Sequence, residues 1–446
     1  MARQLFGTDG VRGRAGHFLT AELALKLART TVARLGAERP QVLIIRDTRE
    51  SGGMLESAIA AGVAAAGGDA WLAGVLPTPA APLLVRGHGL DLAAVISASH
   101  NPYEDNGIKL FGSDGYKLHD DTEHAIEAEL EQPPPPPPHV GSIRPFEGAL
   151  EDYLSRLEAR FSGLALGGRR VLLDCANGAT FQAAPEIFRR LGASVEVIAD
   201  QPDGININLD CGSTHLAGLV ERVRAGSFDV GFAFDGDGDR VLAVDRAGAV
   251  VDGDELVALA AMHLKAQGRL PGEGVAVTVM TNYGFHRAME AAGINVATTS
   301  VGDRYVLDEL RRRGWVLGGE QSGHIIDLGF APSGDGIASA LLTLEALGAR
   351  DLAERDAMHK LPQRLVNIRA GDRDGLVAAM AASSVQEAIT REDAGLTGRG
   401  RVLVRASGTE PLIRVMVEAP TQEETDEICD RLREVVETAL GAVSRA

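Results

Sequence analysis

Three aspartates stand at alternate positions in the segment F-A-F-D-G-D-G-D-R-V. Asp235, Asp237 and Asp239 fall between two apolar runs that predict strands, so their carboxylates belong to a loop. Carboxylates this close repel one another unless a cation neutralises them, and all-oxygen ligands suit a hard ion, Mg²⁺ before Ca²⁺. An EF-hand is excluded because its sixth and twelfth positions would be Arg240 and Arg246 here, not glycine and glutamate. A solvated acidic turn is the alternative, and the apolar strands on both sides favour a metal site.

A serine follows another short apolar strand, in the segment V-I-S-A-S-H-N-P that begins at Val95. The strand leads into a polar turn that Pro102 stiffens by fixing its own φ. Ser99 therefore stands at the end of a strand on a tight loop, with His100 beside it and Lys109 ten residues on. A hydroxyl so placed is a candidate nucleophile or phosphate carrier. Serine and histidine alone favour an ordinary turn, so the chemical interpretation depends on the rest of the chain.

A third segment, V-R-A-S-G-T-E-P-L-I-R, joins two predicted strands near the C-terminus. Ser407, Gly408 and Thr409 form the connecting loop, and Arg405 and Arg414 flank it. Backbone amides, hydroxyl donors and guanidinium groups together are how proteins hold a phosphate. A plain hairpin loop is the alternative, and the paired arginines make it the weaker interpretation.

Two further segments carry weaker signals. In G-E-Q-S-G-H-I, Glu320 and Ser322 lie on a glycine-bounded loop with His324 beyond. A carboxylate and a hydroxyl suit the binding of sugar hydroxyls, but a polar turn explains this segment equally well. In F-G-T-D-G-V-R-G, the glycines predict a loop that can approach a ligand, and Arg12 could reach into a site. An exposed arginine on an N-terminal loop is the commoner arrangement.

These segments together indicate one kind of chemistry. A metal beside a serine, with a remote phosphate-binding loop, favours phosphoryl transfer on a phosphorylated sugar. Acyl transfer is disfavoured because a G-x-S-x-G elbow is absent and the metal would have no task. Four loops from four predicted domains would then converge on one cleft.

The scaffold for these loops is predicted from a pattern of strand, helix, glycine and strand that recurs three times. Strands that alternate with helices imply mostly parallel sheets covered on both faces. A run of six prolines, 133–138, predicts a stiff polyproline II spacer at the edge of the first domain. The three repeats span 42–73, 171–198 and 275–298.

The pattern changes in the last part of the chain, where strands at 401–405 and 412–418 precede an amphipathic helix at 423–440. The predicted fold is therefore three related α/β domains with mixed, mostly parallel sheets plus a smaller C-terminal α+β domain, four domains around a central cleft. The predicted domains are 1–144, 145–249, 250–365 and 366–446.

The composition limits the partners of this 446-residue chain. Its 44 Lys and Arg against 62 Asp and Glu give a net charge of −18, which argues against nucleic acid or an anionic membrane as partner. An anionic substrate would need a local basic pocket. The N-terminus has no apolar core of a signal peptide, and the sparse cysteines, Cys175, Cys211 and Cys429, predict free thiols in a reducing cytoplasm.

The motifs, in their order along essentially the whole chain, resemble the α-D-phosphohexomutase family: I-S-A-S-H-N-P, D-N-G-I-K, D-G-D-G-D-R, V-G-D-R-Y-V, G-E-Q-S-G-H and R-A-S-G-T-E-P. The resemblance implies that Ser99 is a phosphoserine, phosphorylated by the protein itself or by a kinase, and that its phosphate completes the Mg²⁺ shell of the three aspartates. It implies sugar-hydroxyl contacts for Glu320 and Ser322, and phosphate contacts for Arg405, Ser407, Gly408, Thr409 and Arg414. Arg12, Lys109 and His324 would act near the transferred phosphate, as acids, bases or electrostatic groups, together with Arg240.

The reaction implied by the resemblance interconverts glucosamine 6-phosphate and glucosamine 1-phosphate through a 1,6-bisphosphate, and it feeds amino-sugar nucleotide and cell-wall precursor synthesis. A hexosamine or glucose 1,6-bisphosphate would be the activator, and a homodimer is compatible with the family. Two alternatives stay open. One is the same chemistry on mannose or glucose phosphates, and the other is a phosphosugar-binding regulator without turnover.

Overall fold

The computed structural model describes residues 5–7, 9–132, 134–406 and 411–443. Backbone packing divides the chain into two compact units. The first unit comprises Met1–Met280 and Ile294–Arg355, and the second comprises Thr281–Gly293 and Asp356–Ala446. Three sheets belong to the first unit and one to the second.

The first sheet has six strands in the order β1-β5-β4-β2-β3-β6. Its central strands pair in parallel, whereas β5 runs antiparallel to β4 and to β1. All residues of β4 are apolar and buried, so both faces of this strand are covered, as expected for a central strand with helices on each side. The strands are β1 Val11–Arg14, β2 Gln41–Arg46, β3 Asp69–Val75, β4 Leu92–Ile96, β5 Asp105–Gly112 and β6 Ile143–Pro145.

Four helices cover this sheet: α1 Ala21–Ala33, α2 Gly52–Ala65, α3 Ala80–His88 and α4 Asp120–Glu129. The hydroxyl of Thr20 caps α1 by accepting from the backbone N–H of Leu23 at 3.2 Å. Helices α1 and α2 pack on each other, and α3 packs on β2, β4 and β5. Removal of this apolar surface from water stabilises the layered arrangement.

The second sheet has five strands in the order β11-β10-β9-β7-β8. Strands β7, β8 and β9 are parallel, and β10 returns antiparallel to β9. Helices α5 Ala149–Arg160, α6 Ala183–Arg190 and α7 Ala217–Ala225 accompany it. The strands are β7 Arg170–Asp174, β8 Ser194–Ile198, β9 Val230–Phe234, β10 Val241–Asp245 and β11 Val250–Val251.

The third sheet has the order β13-β12-β14-β15, with only β15 antiparallel to its neighbour. Asp252 begins helix α8 with a reciprocal capping box to Glu255. The strands are β12 Gly274–Thr278, β13 Asn295–Thr299, β14 Leu317–Gly319 and β15 Ile325–Asp327. The helices in this part of the chain are α8 Gly253–Ala266, α9 Tyr283–Ala291, α10 Asp303–Arg313 and α11 Gly336–Leu347.

The second unit contains an antiparallel sheet in the order β16-β18-β17. Helix α9 belongs to this unit, because the N–H of Tyr283 donates to the carboxylate of Glu418 at 2.8 Å and Asn282 donates to the carbonyl of Leu361. The long helix α14 packs on β16 and β18. The elements are β16 Gln363–Arg369, α12 Arg373–Ala381, α13 Ser383–Gly395, β17 Arg401–Ala406, β18 Leu412–Glu418 and α14 Gln422–Val443.

The predicted architecture is confirmed: three α/β sheets with parallel centres and one antiparallel C-terminal sheet. All three repeats are present, and the glycine after each helix, Gly67, Gly192 and Gly293, has a positive φ. Within the part of the chain that is described, no helix combines the length and the apolar character needed to cross a membrane. The described prolines, 134–138, lie outside helices and strands, and each of the three cysteines is a buried free thiol.

One interpretation of the sequence was wrong. The segment around Arg12 is not a loop, because Val11–Arg14 pairs with β5 over four positions. The strand partner lies far away in the sequence, and local pattern does not reveal it. Helix α9 lies between β12 and β13 as predicted, and its packing groups it with the C-terminal unit.

Candidate active site

Three loops of the first unit leave the carboxyl ends of parallel-paired strands. The Ser99 loop follows β4, the three aspartates follow β9, and Glu320 follows β14. In open α/β sheets, ligands bind outside the carboxyl ends of the strands. The topology therefore places the three candidate loops at the edges where such sheets carry their sites.

Ser99 is buried and directed at the acidic loop. Its hydroxyl donates to Oδ2 of Asp235 at 2.6 Å, and Nδ1 of His100 lies 3.3 Å from Oγ of Ser99. Ser99 has a left-handed backbone, with a φ of 53°. Non-glycine residues adopt this conformation rarely, and it requires support from the surrounding structure. The ordinary turn that serine and histidine alone would favour does not account for the contact with Asp235.

The carboxylates of Asp235, Asp237 and Asp239 converge in a buried cluster. One oxygen from each lies within 4.8 Å of the others. Burial, together with the charges of Asp239 and Asp237, raises the pKa of Asp235 well above its usual value. The convergence that the alternating spacing predicts is present, and a solvated acidic turn is excluded because the exposed fraction of these residues is 6 % or less.

A divalent cation fits this cluster, as one orphaned oxygen indicates. Oδ2 of Asp237 accepts from Thr78 at 2.7 Å and from Lys109 at 2.9 Å, but its buried Oδ1 has no hydrogen-bond partner. Oδ1 of Asp239 is also buried without a hydrogen-bond partner, with Nδ1 of His324 at 3.6 Å and Nε of Arg240 at 3.8 Å. Buried carboxylate oxygens without donors are costly, and a hard metal ion would satisfy both. The donor set, all oxygen, is the one such an ion prefers.

Lys109 provides the positive charge closest to the cluster. Its Nζ lies 2.9 Å from Asp237, 3.5 Å from Asp239 and 3.2 Å from Asp9, and its side chain is 1 % exposed. Burial disfavours the ammonium form, but these carboxylates outweigh burial and raise the pKa of Lys109. Lys109 is therefore a permanent cation at this site.

His324 and Lys109 approach different oxygens of Asp239: Nδ1 of His324 lies 3.6 Å from Oδ1, and Nζ of Lys109 lies 3.5 Å from Oδ2. Nε2 of His324 is 3.8 Å from the carboxylate of Asp303. Burial alone would lower the pKa of His324, but Asp239, Asp303 and Glu320 raise it to about 8. The imidazole is thus held largely protonated at neutral pH.

Asp9, Lys117 and Asp303 complete the charged cluster. Lys117 Nζ lies 2.5 Å from Asp9 and 2.6 Å from Asp303, so the three side chains connect Lys109 with His324. Sequence reasoning assigned none of them a role. Asp9 and Asp303 lie inside quoted motifs, whose composition could have suggested them, whereas Lys117 lies in no motif and carried no signal.

Two arginines border the acidic loop. Arg12, on β1, pairs with Asp9 and keeps a quarter of its side chain exposed. The backbone N–H of Arg240 donates to Oδ1 of Asp235 at 3.1 Å, and its Nε lies 3.8 Å from Asp239. Both guanidinium groups therefore lie beside carboxylates of the charged cluster.

Glu320 and Ser322 lie on the loop between β14 and β15. Oε1 of Glu320 accepts from the N–H of Gly302 at 2.9 Å, next to Asp303. Ser322 is exposed on the same loop, and His324 ends it. The structure thus brings Glu320 and His324 to the charged cluster.

The predicted phosphate loop belongs to the second unit. Arg405 and Arg414 are directly opposite each other on β17 and β18. Burial and the charge of Arg414 lower the pKa of Arg405. Like charges at one ladder position repel each other, and the lowered pKa of Arg405 reflects this repulsion. The other three residues of this prediction, Ser407, Gly408 and Thr409, lie outside the described residues.

Comparison with known proteins gives four matches to one family along the chain. The sequence models are those of the phosphoglucomutase/phosphomannomutase alpha/beta/alpha domains I, II and III and of the C-terminal domain. They match residues 3–135, 151–248, 252–365 and 365–435, respectively.

A relative described as "Phosphoglucosamine mutase" from Moorella thermoacetica is 49% identical over 442 residues, which cover 97% of this chain and 99% of the relative. Among solved structures, a phosphoglucomutase/phosphomannomutase family protein from Burkholderia thailandensis has a TM-score of 0.81 at 23% identity, covering 97% of both chains. Aspergillus fumigatus N-acetylphosphoglucosamine mutase in complex with GlcNAc-6P and magnesium has a TM-score of 0.68 at 18% identity, covering 98% of this chain and 96% of that one. The two solved structures share the fold of this chain.

Proposed function

The chain belongs to the phosphoglucomutase/phosphomannomutase family, and on that premise we propose that it catalyses the phosphoglucosamine mutase reaction. In this reaction glucosamine 6-phosphate and glucosamine 1-phosphate interconvert. The observation that carries the chemistry is the buried hydroxyl of Ser99, 2.6 Å from the carboxylate of Asp235. The choice of sugar rests on the relatives, which are phosphoglucosamine mutases at 44–49% identity.

The proposed cycle begins with phosphate on Ser99. The bond between Oγ and phosphorus breaks as O1 of glucosamine 6-phosphate bonds to phosphorus. The proton of the O1 hydroxyl passes to a basic group, and Oγ gains a proton from an acid. The resulting 1,6-bisphosphate turns end for end. Oγ of Ser99 then gives up its proton to a base and takes the phosphoryl group from O6, and O6 is protonated. Each transfer is mainly a matter of positioning and charge neutralisation.

Side chains of the site would supply both the positioning and the charge neutralisation. Lys109, Arg12 and Arg240 are the cations that would face the oxygens of the transferring group. His324, with its pKa raised to about 8, can donate a proton near neutral pH. We propose these residues as the acid, base and electrostatic groups of the reaction.

A magnesium ion is the proposed cofactor. The carboxylates of Asp235, Asp237 and Asp239 would hold it, together with an oxygen of the phosphate on Ser99. When bound, the ion would neutralise charge on the transferring phosphoryl group. A hexosamine or glucose 1,6-bisphosphate is the proposed activator, because it can place the first phosphate on Ser99.

The remaining contacts are proposed for the sugar and its distal phosphate. Glu320 and Ser322 would bind ring hydroxyls, and Arg405 and Arg414, with Ser407, Gly408 and Thr409, would hold the phosphate that is not being transferred. Since the intermediate binds in two orientations, these groups must accept either end of it. The four-domain division at residues 144, 249 and 365, a cytoplasmic location, a homodimer and a role in cell-wall precursor synthesis stay predictions.

The test is a panel of glucosamine, glucose and mannose 6-phosphates under one Mg²⁺ and one bisphosphate concentration. We expect kcat/KM to be highest for glucosamine 6-phosphate, with residual activity on the glucose substrate because the phosphate and hydroxyl contacts are shared. Equal or better turnover of the mannose substrate would assign the protein to the phosphomannomutase alternative. Binding without turnover of any sugar would support the regulator.

A further inference from the structure

Two carbonyls in the Ser99 loop each accept hydrogen bonds from the same two side chains. Nη2 of Arg49 lies 3.0 Å from the carbonyl oxygen of Ser99 and 2.9 Å from that of Asn101. Nδ2 of Asn208 lies 2.9 Å and 3.2 Å from the same two oxygens. Arg49 lies on the connection between β2 and α2, whereas Asn208 lies on the connection between β8 and α7. Side chains from two parts of the chain therefore hold the Ser99 loop through hydrogen bonds.

Arg49 is fully buried, and its charge is matched by one carboxylate. Its Nε donates to Oδ2 of Asp47 at 2.9 Å, and both side chains are 0 % exposed. Ser97 donates to the same carboxylate at 2.5 Å and accepts from the N–H of Ser99 at 2.9 Å. The network therefore makes hydrogen bonds with both the N–H and the carbonyl of Ser99.

A buried ion pair of this kind is not explained by stability. Well-packed apolar side chains of similar volume are often as stabilising as a buried arginine and aspartate, or more so. What an apolar pair could not do is donate to the carbonyls of Ser99, Asn101 and Pro102, as Arg49 does. The hydrogen bonds of the guanidinium group therefore serve to fix the conformation of this loop.

The backbone of the Ser99 loop needs these hydrogen bonds because part of it has an unusual conformation. Ser99 has a φ of 53° and Asn208 a φ of 58°, a region that residues with a Cβ adopt rarely. The acidic loop also approaches closely. A Cβ on Gly236 would lie 2.6 Å from the carbonyl oxygen of Ser99 and 2.7 Å from Nδ2 of Asn208. The serine loop, Asn208 and the acidic loop therefore share one crowded junction.

We infer that Arg49 and Asn208 are positioning residues, which hold Ser99 in its left-handed conformation so that Oγ stays directed at the acidic loop. The inference rests on the proposed function of Ser99 as phosphate carrier. Oγ must return to one position in both halves of the cycle, first as leaving group and then as nucleophile. A displacement of about 1 Å in such a group can cost on the order of a hundredfold in rate.

The first test replaces Asn208 with glycine, which keeps the left-handed backbone and removes only the amide. Asp210→Gly is the matched control, because Asp210 is exposed on the same loop with a φ of 53°. We expect Asn208→Gly to lower kcat for glucosamine 6-phosphate about tenfold or more while KM changes less than about twofold. Asp210→Gly should retain both constants. A kcat for Asn208→Gly equal to that of the control would overturn the inference.

The second test uses Arg49→Lys, which preserves the charge beside Asp47 but cannot reach several carbonyls at once. Arg46→Lys is its control, since the guanidinium of Arg46 pairs with Glu56 and donates to the carbonyl of Asp47, both at 3.3 Å. The readout is the rate at which a 1,6-bisphosphate phosphorylates Ser99, followed by intact mass. We expect a drop of at least about tenfold for Arg49→Lys only.

Failures of the two ideas are distinguishable. If the wild type turns over the substrate and Asn208→Gly and Arg49→Lys phosphorylate Ser99 at the wild-type rate, the positioning role is wrong and the proposed function stands. If the wild type neither turns over glucosamine 6-phosphate nor gains phosphate at Ser99, the proposed function is wrong and the inference falls with it. If Arg49→Lys does not fold, the kcat and KM of Asn208→Gly decide.

Discussion

The hydroxyl of Ser99 donates a 2.6 Å hydrogen bond to Oδ2 of Asp235, a residue 136 positions further along the chain. The two side chains come from loops that follow strands of different sheets, β4 in the first sheet and β9 in the second. The contact places a hydroxyl against a buried cluster of three carboxylates. A phosphate on this oxygen would add roughly −1.5 to −2 charges at pH 7, which Lys109 and a bound cation would have to offset.

The first prediction concerns Ser99 itself. Ser99→Ala should abolish turnover of glucosamine 6-phosphate, because no oxygen remains to carry the phosphoryl group. Intact mass and peptide mapping of the wild type should find one phosphate on Ser99. Ser57→Ala is the control, since Ser57 is exposed on α2 and its hydroxyl only donates to the carbonyl of Gly53. Full activity of Ser99→Ala would refute the assignment.

The second prediction concerns the metal. Asp237→Asn should weaken Mg²⁺ binding, measured by calorimetry, and lower kcat about a hundredfold or more, because one charged ligand is lost. EDTA should abolish wild-type turnover and Mg²⁺ should restore it. The control is Asp210→Asn, because Asp210 is exposed on the connection between β8 and α7. This variant should bind Mg²⁺ like the wild type. Undiminished Mg²⁺ binding in Asp237→Asn would mean that the ion is held elsewhere.

The third prediction concerns the arginine pair of the C-terminal sheet. Arg414→Ala should weaken binding of glucosamine 6-phosphate by about 1.5–3 kcal/mol, the value of a charge-assisted hydrogen bond. Calorimetry with the metal present measures this directly. Arg399→Ala, which breaks an exposed ion pair with Glu424, should change affinity little. Unchanged affinity in Arg414→Ala would remove this residue from the binding site.

The fourth prediction is a pH dependence of stability. Burial and the nearby charge of Arg401 lower the pKa of His286 from 6.5 to about 4. The folded protein therefore binds this proton more weakly than the unfolded chain does. The stability from a neutral His286 is fully present above pH 6.5 and is lost as the pH falls through about 4.

The substitution His286→Gln removes the titrating imidazole and with it this loss of stability at low pH. Between pH 7.5 and pH 4.5 the wild type should lose more free energy of unfolding than His286→Gln, by on the order of 2 kcal/mol. Denaturant titrations at the two pH values measure the difference. His124→Gln, at an exposed position of α4, should behave like the wild type. An equal loss in His286→Gln and the wild type would contradict the assignment.

Local sequence patterns predicted the helices and strands because these elements are determined mainly by neighbouring residues. The apolar runs at β2, β7 and β12, the helices after them and the glycines that end those helices all follow from backbone sterics and burial. The acidic loop was predicted for a similar reason, since three carboxylates at alternate positions have few uses without a cation. The pairing of β1 with β5 was missed because antiparallel partners nearly a hundred residues apart leave no local periodicity.

The sequence by itself therefore determined the identities and order of the reactive groups, their placement on loops after strands, and the family. Only the tertiary structure decided which groups meet. It brought Asp9, Lys117 and Asp303 into one chain of charges with Lys109 and His324. It also placed Arg49 and Asn208 on the carbonyls of the Ser99 loop. Contacts between side chains from different sheets depend on how whole layers pack, and packing is a property of the folded chain that no short window of residues encodes.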